Sequence, residues 1–335
     1  MFAFVNYLRA IATVLITNSH YGTVWPSSAL AVGGLLGNVL FFAVSGFCLF
    51  KIKENFPKWY GKRILKILPV MIIFTLFTIL IGVYKPTTGA DWIRLLVFPT
   101  NYVFIVWIVI LYIPFYLVAY FSGKKPKVLK ISCLVVFAAW LIVYFVAIDK
   151  SAYTVDEVYK PFILFVYFLS MLVGAFFKQN YDKFVKGKKI NILFLLISLV
   201  AYFGSKFAIT KFQSLLVVQI LNQFVLLVSL YFFLAVFIGF EERLKKFNKK
   251  FNGFISYVAK LTLYIYLVQF VVIAYLDHLV FPLNFLVITV GIFASASALY
   301  YLEYFIRKGI SKLALKIKNK NTVNDTEREN AESKD

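Results

Sequence analysis

The sequence predicts an all-α integral membrane protein of about ten transmembrane helices, with both termini in the cytoplasm. Three observations carry this. Hydrophobic residues make up 61% of the 335-residue chain, aromatic residues 19%, and mean hydropathy is +0.82, a composition outside the range of soluble domains. Ten apolar stretches are long enough to cross a bilayer: about 2–20, 30–50, 64–84, 101–121, 129–148, 159–177, 190–205, 214–240, 255–276 and 283–305. Finally, Lys and Arg alternate between connections. Those after the second, fourth, sixth and eighth stretches, with the C-terminal tail and the first turn of each following helix, hold 28; the other connections, counted in the same way, hold 6. The positive-inside rule places the basic set in the cytoplasm.

No basic segment precedes the first stretch and no small-residue cleavage site follows it, so it reads as a retained helix. It carries Arg9 and His20, eleven residues apart. That spacing is about three helical turns, so both point to one face, roughly 16 Å apart along the axis. A charge and an imidazole on one stripe of a membrane helix mark a functional site. Arg9 lies toward the cytoplasmic half, where it could hold an anionic donor. His20 lies near the outer end, and its ordinary pKa of about 6.5 suits a general base. The alternative is that Arg9 snorkels to headgroups and His20 bonds to Asn18 or Tyr21 at the interface.

The second stretch contains Gly33, Gly37, Ser45 and Gly46, small residues that permit close helix approach. Asn38 is polar at depth and could line a cavity. Before the third stretch, Arg63 and Lys66 are three apart and share a face. They could clamp phosphates, Arg as a bidentate fork and Lys as a point charge, or simply anchor the cytoplasmic end. The outer connection at about 85–100 could form a cap or a re-entrant turn. Asp277 and His278, at the outer end of the ninth stretch, read as solvated loop, with help in binding an outside substrate as the alternative. Glu303 and Arg307 near the end of the tenth read as an i,i+4 ion pair.

One membrane domain therefore occupies 1–306. The tail at 307–335 is basic, then polar; Leu313, Ala314, Leu315 and Ile317 could begin a short interfacial helix, and 317–335 reads as disordered. Cys48 and Cys133 fall in apolar runs and read as small buried hydrophobes. No Cys/His cluster has metal-ligand spacing, so no metal is expected. The charge of +21 sits on connections that face anionic headgroups, so membrane lipids account for it and no nucleic-acid partner is needed.

Three segments together resemble one family: Arg9-x10-His20, Phe41-Phe42-x-x-Ser45-Gly46-Phe47, and Arg63-x-x-Lys66-Ile-x-Pro69. In this order and spacing they resemble the membrane-bound acyltransferase-3 family, whose members O-acylate surface and secreted glycans. Trp107…Leu111-Tyr112…Pro114 resembles a segment of the family's middle helices, and Leu263-Tyr-Ile-Tyr-Leu-Val-Gln269 resembles its late segment. Lys66 stands where many members have Arg and Gln269 where many have His. An acidic residue often found just after the first-helix His is missing.

The resemblance implies a bacterial multi-pass enzyme of the plasma membrane, and the Lys- and Asn-rich composition fits an AT-rich genome. It implies an acyl-coenzyme A donor, most often acetyl-CoA, entering from the cytoplasm, and a glycan or lipid-linked glycan acceptor outside. Arg63 and Lys66 would hold the donor's phosphates and Arg9 would hold it deeper. His20 would deprotonate the acceptor hydroxyl or briefly take the acyl group itself. Asn18, Ser19, Tyr21 and Asn38 are the candidates nearest His20 for stabilising the tetrahedral intermediate; Ser45 and Trp107 are further candidates for substrate contact. Competing readings are a transporter or flippase for a lipid-linked saccharide or acyl donor, and a membrane sensor in which Arg9 and His20 are structural.

Overall fold

The computed structural model describes residues 2–97, 102–155 and 157–332. Among these there is no strand. The helices are α1 (Ala3–Ser19), α2 (Gly34–Leu49), α3 (Phe56–Leu80), α4 (Gly89–Val97), α5 (Val103–Lys124), α6 (Lys127–Ala147), α7 (Ile163–Gln179), α8 (Tyr181–Phe184), α9 (Ile190–Lys211), α10 (Ile220–Gly239), α11 (Glu241–Lys246), α12 (Lys249–Leu276) and α13 (Leu283–Glu332). Ten of them fall on the ten predicted stretches, although Asn101, the first residue of the fourth stretch, lies outside the described residues. Among the described residues, eight spans are long and apolar enough to cross a membrane; α1 and α7 are shorter, at 17 residues each. Rows of large apolar side chains face outward on α3, α6 and α9, among them Leu76, Leu80, Leu134, Val146, Leu196 and Val200. On a soluble protein such patches would drive association; here they form the lipid-facing belt of an all-α integral membrane protein.

The helix that bears the polar stripe is held on several sides. α1 packs against α2 and α12 and also meets α10 and α11. Its first turn has no acidic residue and no side-chain cap of its own. The fully buried Glu241 of α11 supplies one from 237 residues away, accepting the Ala3 and Phe4 amides at 3.0 and 2.8 Å. A carboxylate at a helix N-terminus answers both the orphan N–H groups and the macrodipole. Lys178, at the end of α7, lies over the Phe2 and Phe47 rings at 4.5 and 4.7 Å. The start of α1 and the ends of α2, α7 and α10 therefore gather on one face, the face of the basic connections.

Two glycines set the deepest contact in the bundle. A Cβ on Gly46 of α2 would overlap the Met171 carbonyl oxygen of α7, and one on Gly174 of α7 would overlap the Ala43 carbonyl oxygen of α2. Each glycine thus lets one helix backbone rest on the other, the usual way membrane helices gain packing where lipid supplies no hydrophobic drive. One turn further, Phe42 stacks on Tyr167 at 4.4 Å and Asn38 donates to the Tyr167 hydroxyl at 2.9 Å. Gly37 meets α1 in the same way, with its Cβ position 2.7 Å from the Ala12 carbonyl. Gly33 has φ +103°, a backbone that favours glycine, and turns the chain into α2.

Several boundaries differ from the sequence expectation. α3 starts at Phe56, because Asn55 caps it by accepting from the Lys58 amide at 3.3 Å, and Trp59 and Phe56 pack on Tyr112 and Tyr116. Arg63 and Lys66 consequently sit two to three turns inside the helix. The outer connection at 85–100 contains α4, opened by a Thr88–Asp91 capping box; those amide and hydroxyl donors hold the Asp91 carboxyl below its ordinary pKa. Residues 98–100 of that connection lie outside the described residues. α13 continues to Glu332, where the composition predicts a disordered tail. No proline or glycine interrupts 310–332, and extending a helix already nucleated by packing is far easier than starting one. Cys133 is half-buried, but Cys48, read as a buried hydrophobe, is exposed at the end of α2. The Glu303–Arg307 ion pair forms as expected, at 2.5 Å.

Candidate active site

Two cavities lie along the seam where the two hydrophobic clusters of the bundle meet. One cluster is built on α1, α2, α5, α6, α7 and α10; the other joins α3, α12 and α13. The larger cavity, about 730 Å³, is lined by His20 and Ser19 of α1, Asn38 of α2, and a set of rings that includes Tyr102, Phe104, Tyr159, Tyr266 and Phe270. The smaller, about 340 Å³, is lined by Arg9, Thr13 and Thr17 of α1, Phe41 and Ser45 of α2, Arg63 and Lys66 of α3, Tyr112 of α5, and Lys260, Tyr264 and Gln269 of α12. Ile16, Phe104 and Tyr266 line both, so the cavities share one wall.

The stripe on α1 thus runs from one cavity into the other. Arg9 belongs to the smaller cavity, toward the basic face, and His20 to the larger. Thr13 and Thr17 lie between them at helical spacing, and both bond to α12. Thr13 donates to the Thr262 hydroxyl at 2.9 Å, and Thr17 donates to Gln269 Oε1 at 2.9 Å. Lower down, Asn6 donates to Ser256 at 3.0 Å and Tyr7 to Asn252 at 2.7 Å. These four bonds register α1 against α12 along its length. The His20 ring packs edge-on against Phe270 of α12, centroids 4.5 Å apart.

The smaller cavity is strongly cationic. Arg9, Arg63, Lys66 and Lys260 contribute four cations, and its lining has no carboxylate. Arg63 is held by a cation–π contact, 5.1 Å from the Trp59 ring centre, and its Nε is buried without a partner among the described residues. A brace at the rim fixes this turn of α3. Arg307 pairs with the buried Glu303, which also accepts from Tyr264, and it donates to the Leu65 and Lys66 carbonyls at 3.2 and 3.3 Å.

Other residues singled out in the sequence fall elsewhere. Asn18 lines neither cavity. Its amide donates to the Leu30 and Val32 carbonyls at 2.9 Å each and accepts from the Trp25 indole at 2.9 Å, stapling the α1–α2 connection. Tyr21 is buried with its hydroxyl 3.0 Å from Thr289 of α13. Trp107 donates to the Val158 carbonyl at 2.9 Å, tethering the α6–α7 connection whose Glu157, Val158 and Tyr159 line the larger cavity. Ser45 lies in the cavity of Arg9 rather than that of His20. Asp277 and His278 are exposed and line neither cavity. Lys260 is the cation that sequence reading passed over, although a lone lysine inside an apolar span was itself a signal.

A family model described as an acyltransferase domain matches residues 2–303. The chain belongs to the acyltransferase-3 family. No curated protein and no solved structure matches it. As an acyltransferase-3 protein it is a multi-pass membrane acyltransferase. The segments that carried the resemblance, far apart in sequence, converge on the two cavities: Arg9 and His20, Phe41 and Ser45, Arg63 and Lys66, Tyr112, and Tyr264, Tyr266 and Gln269. In this acyltransferase the four-cation cavity and the cavity of His20 share a wall of three side chains.

Proposed function

We propose that this protein moves an acetyl group from acetyl-CoA, bound at its basic face, to a hydroxyl of a cell-surface or exported glycan bound on the far side. The observation that carries this reading is the pairing of a four-cation, carboxylate-free cavity with a ring-lined cavity that holds His20. Coenzyme A is a polyphosphate, and clustered Arg and Lys without acidic competitors are what such a ligand needs. Ring faces suit the apolar faces of sugars, and Asn38 and Ser19 add polar groups beside them. The charge asymmetry supports a cytoplasmic basic face, in a reading that places the enzyme at the plasma membrane of a bacterium.

In this reading Arg63, Lys66 and Lys260 hold phosphates at the mouth, and Arg9 holds the donor deeper. The thioester lies at the shared wall. His20 takes the proton of the acceptor hydroxyl as its oxygen attacks the acyl carbon, then returns a proton to the departing thiolate. Coenzyme A need not cross the membrane.

The decisive test is thiol release from acetyl-CoA by inside-out membrane vesicles of cells making the protein, together with O-acetyl analysis of their surface glycan by NMR. Enzyme-dependent release and a glycan O-acetyl signal are expected. Loss of glycan export with no thiol release would favour a flippase instead. Arg63→Ala should raise the KM for acetyl-CoA about tenfold or more, as expected for a lost charged hydrogen bond, with a smaller change in kcat. Orientation has its own check. In a background without other cysteines, Lys186→Cys, on an exposed turn after α8, should react with a membrane-impermeant maleimide only after permeabilisation. Labelling of intact cells would reverse the topology.

A further inference from the structure

Among the described residues that line the cavities, three carry a buried polar side-chain atom without a partner: Asn38 Oδ1 in the larger cavity, and Arg63 Nε and Gln269 Nε2 in the smaller. They differ in what they can bind. Asn38 already donates to Tyr167, so its free atom is an acceptor. Arg63 belongs to the phosphate end. Gln269 is different. Its Oε1 accepts from Thr17, which turns Nε2 away from that bond, and the residue has no solvent exposure. A buried N–H without an acceptor destabilises a fold, so this fold holds a donor in reserve. Its place is also informative. Thr17 precedes His20 by three residues, less than one helical turn, and Phe270, the next residue on α12, carries the ring on which His20 packs. The nearer candidates for the same duty are otherwise engaged. Ser19 donates to the Ile16 carbonyl at 2.7 Å, and Asn18 and Tyr21 face away.

We propose that Gln269 Nε2 donates the hydrogen bond that stabilises the oxyanion of acyl transfer, and that Thr17 is the positioning residue that aims it. The inference rests on the acyl-CoA reading above. The acceptor oxygen bonds to the acyl carbon and its proton passes to His20. The carbonyl π pair moves onto oxygen, where it accepts from Gln269. Collapse then re-forms the carbonyl, breaks the C–S bond, and the thiolate takes the proton from His20. A preorganised donor away from water strengthens as charge develops on its acceptor.

The test compares wild type, Gln269→Met and Thr17→Val in the vesicle assay with acetyl-CoA, each checked for folding by its melting temperature in detergent. Methionine keeps the length and burial of the side chain and removes the donor. The expected result is a fall in kcat of roughly 10²–10³ for Gln269→Met, the scale of a lost oxyanion donor, with KM for acetyl-CoA essentially unchanged. Thr17→Val should lower kcat by about tenfold in the same pattern. It also decides the matter if the methionine variant fails to fold. Wild-type kcat in Gln269→Met, or in Thr17→Val where that variant decides, overturns the proposal and leaves the acyl-CoA reading intact. So does a rise in KM alone. If wild type itself releases no thiol from acetyl-CoA, the broader reading fails and this one with it.

Discussion

His20→Ala is expected to abolish acyl transfer while the protein is made and inserted normally. His20 caps the end of α1 through its backbone, and its side chain makes no hydrogen bond among the described residues, only the edge contact with Phe270. Removing the ring therefore leaves no buried polar atom orphaned, and the melting temperature should barely move. The chemistry should move by about 10²–10⁴ in kcat, the usual contribution of a positioned acid–base group. KM for acetyl-CoA should stay near wild type, because the cations that bind it line the other cavity. Arg63→Ala predicts the reverse split, so the two variants together separate chemistry from donor binding. Glycan acetylation that survives in His20→Ala would remove the imidazole from the mechanism.

The largest structural effect is expected at Gly174→Val. The added side chain would have to occupy the position of the Ala43 carbonyl, and the Ala43 carbon and Phe47 amide nitrogen also lie within 2.9 Å of the new Cβ. These are backbone atoms, so no rotamer change relieves the clash; α2 and α7 must separate. Overpacking of this kind usually costs about 1–3 kcal/mol, and more where backbone is involved. The separation would also break the Asn38–Tyr167 bond and shift Phe41 and Ser45 out of the cavity wall. Gly174→Val should therefore melt several degrees lower in detergent and lose activity. Gly204→Ala is the control. That glycine of α9 has nothing within 4 Å of its Cβ position, and alanine there should be neutral or stabilising by up to about 1 kcal/mol through helix propensity. Equal melting temperatures for the two variants would mean the glycine contact does not hold the bundle together.

The α1 stripe was readable in advance because it depends only on the helical period. Arg9 and His20 share a face whatever surrounds them, and the basic connections alternate whatever the helices pack against. Thr13 and Thr17 carried the same signal and went unread, since a threonine in an apolar run can satisfy itself on its own helix. Asn18, Tyr21 and Trp107 mark the limit of reading by proximity. Asn18 and Tyr21 are close to His20 in sequence, yet Asn18 sits about 200° round α1 from the stripe, and Tyr21 follows the turn that ends α1 at Ser19. Their side chains then find partners in the following connection and on α13 instead of in the cavity. Lys260 and Gln269 join the site from about 250 residues away, and nothing local to either says which helix they will face.

By itself, the sequence determined where ten apolar helices fall, the grouping of basic connections and the shared face of Arg9 and His20. In a bilayer each helix satisfies its own backbone, so spans are local properties and can be read locally. Only the tertiary structure decided which polar residues share a cavity: that Gln269 answers Thr17, that Ser45 joins Arg9, and that one wall divides four cations from an imidazole. Helix placement in lipid follows from close backbone contact and interhelical hydrogen bonds. Those contacts, Gly46 on Met171 and Thr17 on Gln269 among them, link residues that a linear reading has no reason to pair.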